Sequence, residues 1–467
     1  MILWEYIKSK MLKYPEQTIG EGNVKMRYDE LCAFAEAHAK NLTAEYYGIL
    51  CKSEMAATMA FLACIAAGKT AVPMPARYGN TYLKILDRVD PPYIITDALG
   101  GLNEIYMDPK KSFVFEGESP AVILFTSGST GMPKGIMLSE KNLLANIKDI
   151  SNYFEINEDD TILISRPIYH SSVLTGELLT ALCKGCKVVF CSEAFQPAKL
   201  INMIYETQTT VFGSTPTLLA TLSRFAKDWE SVKSIRVLSI SGEIVPSGSA
   251  ERIRKAFPQA KIYCGYGLSE ASPRVAYLPP EHFDKDPTAA GIALPSVKIR
   301  IVNEKNNDVK KGNVGEIVVK GDNVMMSYWN DSELTRKVVK KKWLYTGDVG
   351  YFDKRGFLYI KGRKDNMIIR AGMNIYPAEI ENAISSDARV KELFVYGYND
   401  GGTNQIALKI SGDFNAKKDV LDLCKAKLPA YQVPSRIEIV DEVDKTNSGK
   451  KNLKNNAQST NYTEVKL

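Results

Sequence analysis

Helical and strand patterns alternate through the first three-quarters of this 467-residue chain, and this alternation restricts its fold more than any other feature. Short apolar runs of strand length stand between amphipathic segments with helical spacing. The predicted strands are Tyr93–Thr96, Ala121–Phe125, Thr161–Ser165, Lys187–Phe190, Val237–Ser241 and Lys261–Cys264. Such alternation predicts an α/β fold of layered subdomains whose sheets are largely parallel.

The pattern changes near residue 296. From Val297 onward, strands are separated by turn clusters such as Glu304–Asp308 and Asp353–Gly356, and no long helix intervenes. This arrangement is typical of antiparallel strands. We therefore predict a small β subdomain over about residues 296–364, at the end of a large N-terminal domain.

A domain boundary is predicted after the polar stretch Gly362–Asn366. Pro377 lies in the first turn of a new helical pattern with glutamates behind it, which is typical of a helix start. The elements predicted beyond it are the strands Leu393–Tyr398 and Gln405–Ile410 and the helix Val420–Leu428. We therefore predict an N-terminal domain over residues 1–364 and a small α+β C-terminal domain over residues 365–467.

Composition excludes several classes of protein. The hydrophobic content of 45% is ordinary for a globular enzyme. The 60 basic and 54 acidic residues leave a net charge of +6, which is too small an excess to indicate nucleic-acid binding. The longest apolar stretch, Met55–Ala67, is too short to span a bilayer, and Met1–Tyr6 lacks the features of an export signal. We expect a cytoplasmic enzyme that neither spans a membrane nor binds nucleic acid.

Eight cysteines are scattered along the chain, as is typical of reduced thiols in a cytosolic protein. Cys183, Cys186 and Cys191 could form half of a metal site. Because a second Cys or His pair at ligand spacing is missing, we favour buried structural thiols over zinc.

The segment Thr126–Gly135 carries three glycines, several hydroxyl side chains and Lys134 directly after a predicted strand. Ser139 then caps a helical pattern, so the segment is predicted to be a strand-to-helix loop. Glycines let backbone N–H groups approach an anion, and a lysine adds positive charge, so the segment could bind phosphate. Such a segment is also typical of a solvated turn, and phosphate binding is favoured only if other segments support it. Pro133 stands where a Walker-type loop needs glycine, which disfavours that class of NTPase.

A second polar segment, Tyr263–Glu270, ends a predicted strand. Tyr266 could lie on a purine, Ser269 could bond a phosphate oxygen, and the Glu270 carboxylate could hold magnesium, a cation that prefers oxygen ligands. Taken alone, the segment is more typical of a strand-end turn with a surface glutamate.

Two further segments carry polar groups with plausible roles. Asp348, in Trp343–Gly350, could accept hydrogen bonds from both hydroxyls of a ribose, although Thr-Gly-Asp is also an ordinary β-turn. Lys450 follows a glycine in the polar segment Thr446–Lys450, where most lysines are merely solvated. His170 is one of three histidines, but no nucleophile elbow accompanies it, which disfavours a serine hydrolase.

Together these segments closely resemble, in order and spacing, the adenylate-forming (AMP-binding) superfamily, which includes acyl-CoA synthetases, aryl-CoA ligases, adenylation domains of peptide synthetases and luciferases. The resemblance extends from Tyr28 to Lys450. It implies an acid–thiol ligase that uses ATP and Mg²⁺ to convert a carboxylic acid to an acyl-adenylate, and then forms a thioester with coenzyme A. It also implies that the C-terminal domain is a mobile lid.

The resemblance assigns roles to individual residues. It implies nucleotide and phosphate binding by Thr126, Ser127, Gly128, Ser129, Thr130, Gly131, Lys134, Gly242, Glu243, Gly265, Tyr266, Gly267, Asp348 and Arg363. The implied acid pocket contains His170, Ser171, Ser214, Gly265 and Leu268. The implied catalytic residues are Lys450, Glu270 and Ser269, with Glu270 as the metal ligand, Asp365 as the hinge and Gly372 in the thiol tunnel.

The chain departs from the family pattern at a few positions. Ser269 replaces the usual threonine, Cys264 stands where Asn or Gln is common, and Asp444 stands where proline is usual. The region between Asp97 and Ala121 is also short. The hydroxyl at residue 269 is retained, whereas the other departures leave the local roles open.

The acid and the acyl acceptor are less defined. Amino-acid-activating domains place an aspartate near the start of the pocket segment, and Tyr169–Leu174 has none, which favours an unsubstituted acyl or aryl acid. The acceptor is coenzyme A or, alternatively, the phosphopantetheine of a carrier protein. An alternative of another class is a catalytically inactive nucleotide-binding regulator.

Overall fold

Strands are interleaved with helices from Ile2 to Ala293 in the computed structural model of the chain, although the four strands between Tyr93 and Leu138 have no described helix between them. The structure describes residues 2–77, 81–98, 101–110, 115, 117–127, 133–191, 196–226, 229–370, 372–400 and 402–445. The predicted phosphate-loop residues Gly128, Ser129, Thr130 and Gly131 and the predicted catalytic Lys450 lie outside these residues.

Thirteen α-helices lie within the described residues, and none of them is long and apolar enough to cross a membrane. They are α1 (Ile2–Met11), α2 (Tyr28–Ala39), α3 (Glu54–Ala66), α4 (Thr81–Val89), α5 (Glu140–Tyr153), α6 (Ser171–Val173), α7 (Thr180–Lys184), α8 (Pro197–Thr207), α9 (Pro216–Phe225), α10 (Ser247–Ala256), α11 (Ser332–Val338), α12 (Pro377–Ser385) and α13 (Lys417–Lys427). A π-helix, Leu174–Leu179, joins α6 to α7.

The strands of the N-terminal region form two large sheets. They are β1 (Thr18–Glu21), β2 (Val24–Arg27), β3 (Tyr46–Ile49), β4 (Thr70–Pro73), β5 (Tyr93–Ala98), β6 (Gly101–Tyr106), β7 (Val122–Ser127), β8 (Pro133–Leu138), β9 (Thr161–Ile164), β10 (Lys187–Phe190), β11 (Val211–Ser214), β12 (Val237–Ser241), β13 (Lys261–Gly267), β14 (Arg274–Leu278), β15 (Ala289–Ala293), β16 (Val297–Val302), β17 (Gly315–Gly321), β18 (Ser327–Tyr328), β19 (Val339–Lys340), β20 (Trp343–Phe352) and β21 (Leu358–Arg363).

The larger sheet has 14 strands in the order β16-β17-β20-β21-β15-β14-β13-β12-β11-β9-β10-β1-β2, with β19 paired to β20. Strands β9 to β13 pair in parallel, as predicted, and the strands after Val297 pair antiparallel. β15 also pairs with both β14 and β21. The antiparallel strands are therefore a continuation of the large sheet and do not form a separate sheet.

The second sheet has seven strands in the order β18-β8-β7-β4-β3-β5-β6. Here the structure corrects the predicted strand-to-helix loop, because β7 and β8 form an antiparallel hairpin in which Thr126 lies opposite Lys134. The helical pattern after Ser139 is confirmed as α5, whose first turn is capped by the Ser139 hydroxyl, which accepts from Asn142 N–H at 3.1 Å. The apolar residues Ile136–Leu138 form a further strand because they complete the buried face of the hairpin.

The C-terminal region has its own small core. Its strands are β22 (Ile368–Arg370), β23 (Met373–Ile375), β24 (Val390–Asp400), β25 (Thr403–Gly412) and β26 (Arg436–Ile439). The predicted strand pair is present as β24 and β25, and β26 adds to β25 in parallel. Helices α12 and α13 bury Ile380, Ile384, Val420 and Leu423 against these strands. These elements give the α+β arrangement predicted for this region.

Candidate active site

The parallel strands of the large sheet bring several predicted residues to one edge. Ser214 ends β11, Ser241 ends β12 opposite Gly265 of β13, and Ile240 pairs with both Ser214 and Cys264. Because the carboxyl ends of parallel strands meet at one edge, ligands of open α/β sheets bind there. The predicted nucleotide-site residues Gly242 and Glu243 follow directly after β12, and Gly267 ends β13.

Three predicted nucleotide-binding side chains contact one another at this edge. The Tyr266 O–H donates to Asp348 Oδ2 at 2.7 Å, and Arg363 Nη1 donates to Asp348 Oδ1 at 3.2 Å and to the Thr346 carbonyl at 2.7 Å. Burial, together with the adjacent Asp348 carboxylate, raises the pKa of Tyr266 well above its ordinary value, so the phenol is a neutral donor. An aromatic ring, a carboxylate and a guanidinium from separate strands therefore form one cluster.

Glu270 and Lys134 both lie next to Tyr328. The Tyr328 O–H donates to Glu270 Oε1 at 2.8 Å, and Lys134 Nζ lies 5.9 Å from the centre of the Tyr328 ring, a cation–π distance. Burial and the Glu270 carboxylate raise the pKa of Tyr328. Sequence reasoning missed Tyr328, because a tyrosine after a loop carries no signal of its contact with residues 58 and 194 positions away.

The predicted pocket segment contacts the predicted catalytic segment through two hydroxyls. Ser171 Oγ lies 2.9 Å from Ser269 Oγ. His170 precedes α6, is half-buried, and its ring centre lies 4.3 Å from that of Tyr169. Leu268 packs partly buried against the main core. The structure therefore brings four predicted residues of the acid and phosphate sites together.

A cleft of about 650 Å³ separates the N-terminal region from the C-terminal strands. Its charged lining includes Arg224, Glu243, Arg252, Arg363, Asp365 and Lys445. Glu243 accepts a hydrogen bond from the Thr217 hydroxyl at 2.7 Å. The predicted hinge residue Asp365 lines this cleft, whereas the predicted tunnel residue Gly372 does not; it lies in the turn between β22 and β23 with φ +76°.

A buried group of charged side chains packs behind the same sheet edge, and the sequence analysis did not single it out. Arg166 and Glu177 form an ion pair with side-chain exposures of 5% and 3%. A Cβ built on Gly213 of β11 would lie 2.7 Å from Glu177 Oε1, so a larger residue there would displace the Glu177 carboxylate. Arg274 is equally buried and lies over Gly265. Cys264, the preceding residue of β13, instead packs into the second core on the other face of the sheet.

The fold and the site together define an enzyme of the adenylate-forming class. The chain belongs to the AMP-binding enzyme family. The sequence model of that family matches residues 11–329, and the sequence model of the AMP-binding enzyme C-terminal domain matches residues 379–450. This confirms the family membership predicted from the sequence.

Curated relatives of this chain are CoA ligases. It is 33% identical over 340 residues to an indoleacetate–CoA ligase of Aromatoleum aromaticum, an alignment that covers 71% of this chain and 66% of that protein. It is 32% identical over 343 residues to a feruloyl-CoA synthase of Amycolatopsis, covering 70% of this chain and 67% of that protein. The chain thus spans about two thirds of the length of these relatives. Their names agree with the predicted enzyme class, an acid–thiol ligase.

Solved structures share the fold over nearly the whole chain. The o-succinylbenzoate CoA synthetase of Bacillus subtilis, in complex with an acyl-adenylate intermediate, has a TM-score of 0.83 at 25% identity and covers 98% of this chain and 99% of its own. ATP-bound MatB of Rhodopseudomonas palustris has a TM-score of 0.85 at 23% identity and covers 97% of this chain and 98% of its own, which shows the fold alone. The predicted fold class is confirmed.

Proposed function

We propose that this protein activates a carboxylic acid with ATP, releasing pyrophosphate, and then transfers the acyl group from the acyl-adenylate to the thiol of coenzyme A. The observation that supports this most directly is the contact of Tyr266, Arg363 and Asp348. A ring, a cation and a carboxylate arranged in this way fit a purine, a phosphate and a ribose. The reaction needs ATP and coenzyme A, which are available in the cytoplasm.

The chemistry explains why a nucleotide is needed. A carboxylate is a poor electrophile because its carbonyl is electron-rich and oxide does not leave. Attack of a carboxylate oxygen on the α-phosphorus of ATP forms the new P–O bond, and the bond to pyrophosphate breaks in line with it. AMP is then the leaving group when the thiol sulfur attacks the carbonyl and the thiol proton passes to solvent.

Each half-reaction assigns work to residues of this chain. Lys134 and the hydroxyls and amides of Thr126–Gly135 would bind the departing phosphates, and Lys450 would offset charge that develops during adenylation. Ser269 would bond a phosphate oxygen. For the second half-reaction, the C-terminal domain would turn about Asp365 and bring Gly372 to the thiol.

Magnesium fits Glu270. Only one of its carboxylate oxygens accepts the Tyr328 hydroxyl, and the described residues contain no cluster of three or more potential metal-ligating side chains. A single carboxylate suits Mg²⁺ bound together with phosphate oxygens and water, in contrast to a site built entirely of protein ligands. When bound, the ion would neutralise charge on the ATP phosphates.

ATP–pyrophosphate exchange over a panel of fatty, aryl and amino acids tests the proposal. We expect exchange that depends on both the acid and Mg²⁺, followed by an acyl-CoA product when coenzyme A is added. Exchange without acyl-CoA formation would favour loading of a carrier-protein phosphopantetheine. Absence of exchange with every acid would contradict the proposal and favour a nucleotide-binding regulator.

Lys450→Ala separates the two half-reactions. We expect the variant to lose acid-dependent pyrophosphate exchange, because the developing negative charge is no longer offset, and to retain thioester formation from supplied acyl-adenylate and coenzyme A. Lys451→Ala is the matched control and should retain both activities. Equal loss of both half-reactions in the Lys450 variant would contradict this role.

A further inference from the structure

Arg274 is a buried arginine whose guanidinium has no ion-pair partner among the described residues. Its side chain is 3% exposed, and Nε is buried without a hydrogen-bond partner among the described residues. Its backbone is well anchored, because its N–H donates to Asn146 Oδ1 at 3.1 Å and its carbonyl accepts from the amides of Asn146 and Asn323 at 2.8 and 3.0 Å. Each of these three hydrogen bonds is made by the main chain of Arg274 and none by its guanidinium.

The guanidinium lies against Gly265, a residue of the predicted acid pocket. A Cβ built on Gly265 would collide with Arg274 Nη1, and one built on Gly176 of the π-helix would lie 3.1 Å from Nη2. Two glycines from separate elements thus leave the space that the guanidinium occupies. Gly265 belongs to both the predicted acid pocket and the predicted nucleotide site. The Arg274 guanidinium therefore lies at a wall that these two sites share.

The neighbouring charges do not neutralise Arg274. Glu177, next to Gly176 in the chain, is already paired with Arg166. The group of Arg166, Glu177 and Arg274 therefore carries one excess positive charge. Four further polar atoms of this region are also buried without a partner among the residues that the structure describes: Glu177 Oε2 and Arg166 Nε within the group, and Thr175 Oγ1 and Ser214 Oγ on segments that border it.

A buried, unpaired cation is costly, and buried polar groups in proteins are nearly always hydrogen-bonded. Arginine binds carboxylates in a bidentate geometry that both strengthens and orients the contact. We propose that Arg274 binds a second carboxylate on the acid substrate, so that the enzyme activates dicarboxylic acids in preference to unsubstituted ones. This inference rests on the proposed function and replaces the unsubstituted acid that the sequence favours.

Matched acid pairs test this preference. ATP–pyrophosphate exchange is measured with linear monocarboxylic acids and α,ω-dicarboxylic acids of equal chain length, and with benzoic acid and its dicarboxylic analogues. We expect the wild type to favour one dicarboxylic acid over its partner by about 10- to 100-fold in kcat/KM, as for other hydrogen bonds to charged groups. Arg274→Met should remove that preference by raising the KM for the dicarboxylic acid, and Arg274→Lys should retain part of it. The KM for ATP should not change in either variant.

Arg300→Met is the matched control, because Arg300 pairs with Asp308 on the antiparallel strands and does not contact the site. It should keep the dicarboxylate preference. If the wild type catalyses exchange with monocarboxylic acids alone, the role of Arg274 is overturned but the proposed function stands. This result is obtained with the wild-type protein and so does not depend on the folding of a variant. An equal loss with all acids in Arg274→Met, together with a lower melting temperature, would show a structural role instead. No exchange with any acid would contradict the proposed function itself.

Discussion

Asp348 is the residue on which the nucleotide site converges. Both of its carboxylate oxygens accept hydrogen bonds, one from Tyr266 and one from Arg363. The antiparallel register of β20 and β21 places Asp348 opposite Arg363. Strand pairing therefore positions Arg363, whereas tertiary packing positions Tyr266. This carboxylate therefore orders two other candidate ligands of the nucleotide.

Replacement of this carboxylate should weaken nucleotide binding. In Asp348→Ala we expect the KM for ATP to rise about 10- to 100-fold, because charge-assisted hydrogen bonds are lost and Tyr266 loses its acceptor. Steady-state exchange kinetics measure this effect. Asp308→Ala, which also removes a carboxylate paired with an arginine, should leave the KM for ATP unchanged. An unchanged KM in the Asp348 variant would contradict the ribose role.

Glu54 is a buried carboxyl group at the start of α3. It is 6% exposed, its Oε2 accepts from Ile168 N–H at 2.9 Å, and Arg77 lies 3.9 Å from Oε1. Burial raises the pKa of Glu54 from 4.5 to about 7, against the opposing effects of the Ile168 hydrogen bond and Arg77. A raised pKa in the folded state means that the folded protein binds this proton more tightly than the unfolded chain does.

The stability of the protein should consequently depend on pH through Glu54. The contribution of Glu54 to the free energy of unfolding is complete below pH 4.5 and is lost as the pH rises through 7, by at most about 3 to 4 kcal/mol, since one pKa unit corresponds to about 1.4 kcal/mol. In Glu54→Gln, the fall in melting temperature between pH 5 and pH 8 should be smaller than in the wild type. Glu206→Gln, at an exposed position, should show the same fall in melting temperature as the wild type. If Glu54→Gln also shows the wild-type fall, the assignment to Glu54 is contradicted.

At the scale of elements, strand positions were the most predictable from sequence and the hairpin at Thr126–Gly135 was the least. β10 and β12 have the predicted bounds because each is an apolar run that ends at a polar segment. The strand β8 was missed because its glycine and lysine resemble loop residues, and only the pairing of Thr126 with Lys134 reveals it. Arg274 was missed because its burial depends on glycines 9 and 98 positions away in the chain.

The hairpin of β22 and β23 allows a test of the proposed thiol tunnel. Gly372 has φ +76° and no heavy atom within 4 Å of a built Cβ, and Gly402, in the turn between β24 and β25, has φ +87° and the same open surroundings. Any residue other than glycine is strained at both positions. Because the conformational strain of a substitution is similar at the two positions, a difference between the two variants reports on where each glycine lies.

We expect Gly372→Leu to slow thioester formation from supplied acyl-adenylate at least tenfold while pyrophosphate exchange stays within about twofold, because the side chain would obstruct the thiol. Gly402→Leu should leave both half-reactions unchanged. Separate assays of the two half-reactions measure this. Equal behaviour of the two variants would contradict the tunnel role.

For the whole molecule, the contact between α10 and α12 holds the C-terminal region against the large sheet. Ser247 N–H and the Ser247 hydroxyl both donate to Asn382 Oδ1, at 2.9 and 3.1 Å. A Cβ built on Gly248 would collide with the Ser385 carbonyl oxygen. Only glycine at this position permits the two helices to approach so closely, and the sequence alone gives no sign of that requirement.

Gly248→Ala should therefore disfavour this arrangement of the two regions. We expect the rates of the two half-reactions to change by different factors, since the proposed cycle uses more than one arrangement, and small-angle scattering should show a larger radius of gyration. Gly101→Ala, at a half-buried strand position where a built Cβ meets nothing within 4 Å, should behave as the wild type. Unchanged scattering and an unchanged ratio of rates would show that the contact does not control the arrangement.

The position of Cys264 bears on how such an enzyme survives its own chemistry. An acyl-adenylate acylates any accessible thiolate, and Cys264 is covalently adjacent to Gly265 of the proposed site. Its side chain packs into the opposite core, and burial raises its pKa to about 12, so it stays protonated and is a poor nucleophile. A thiol that adjoins the proposed site in the chain is thus protected from self-modification, and the acyl group is left for the thiol that enters from outside.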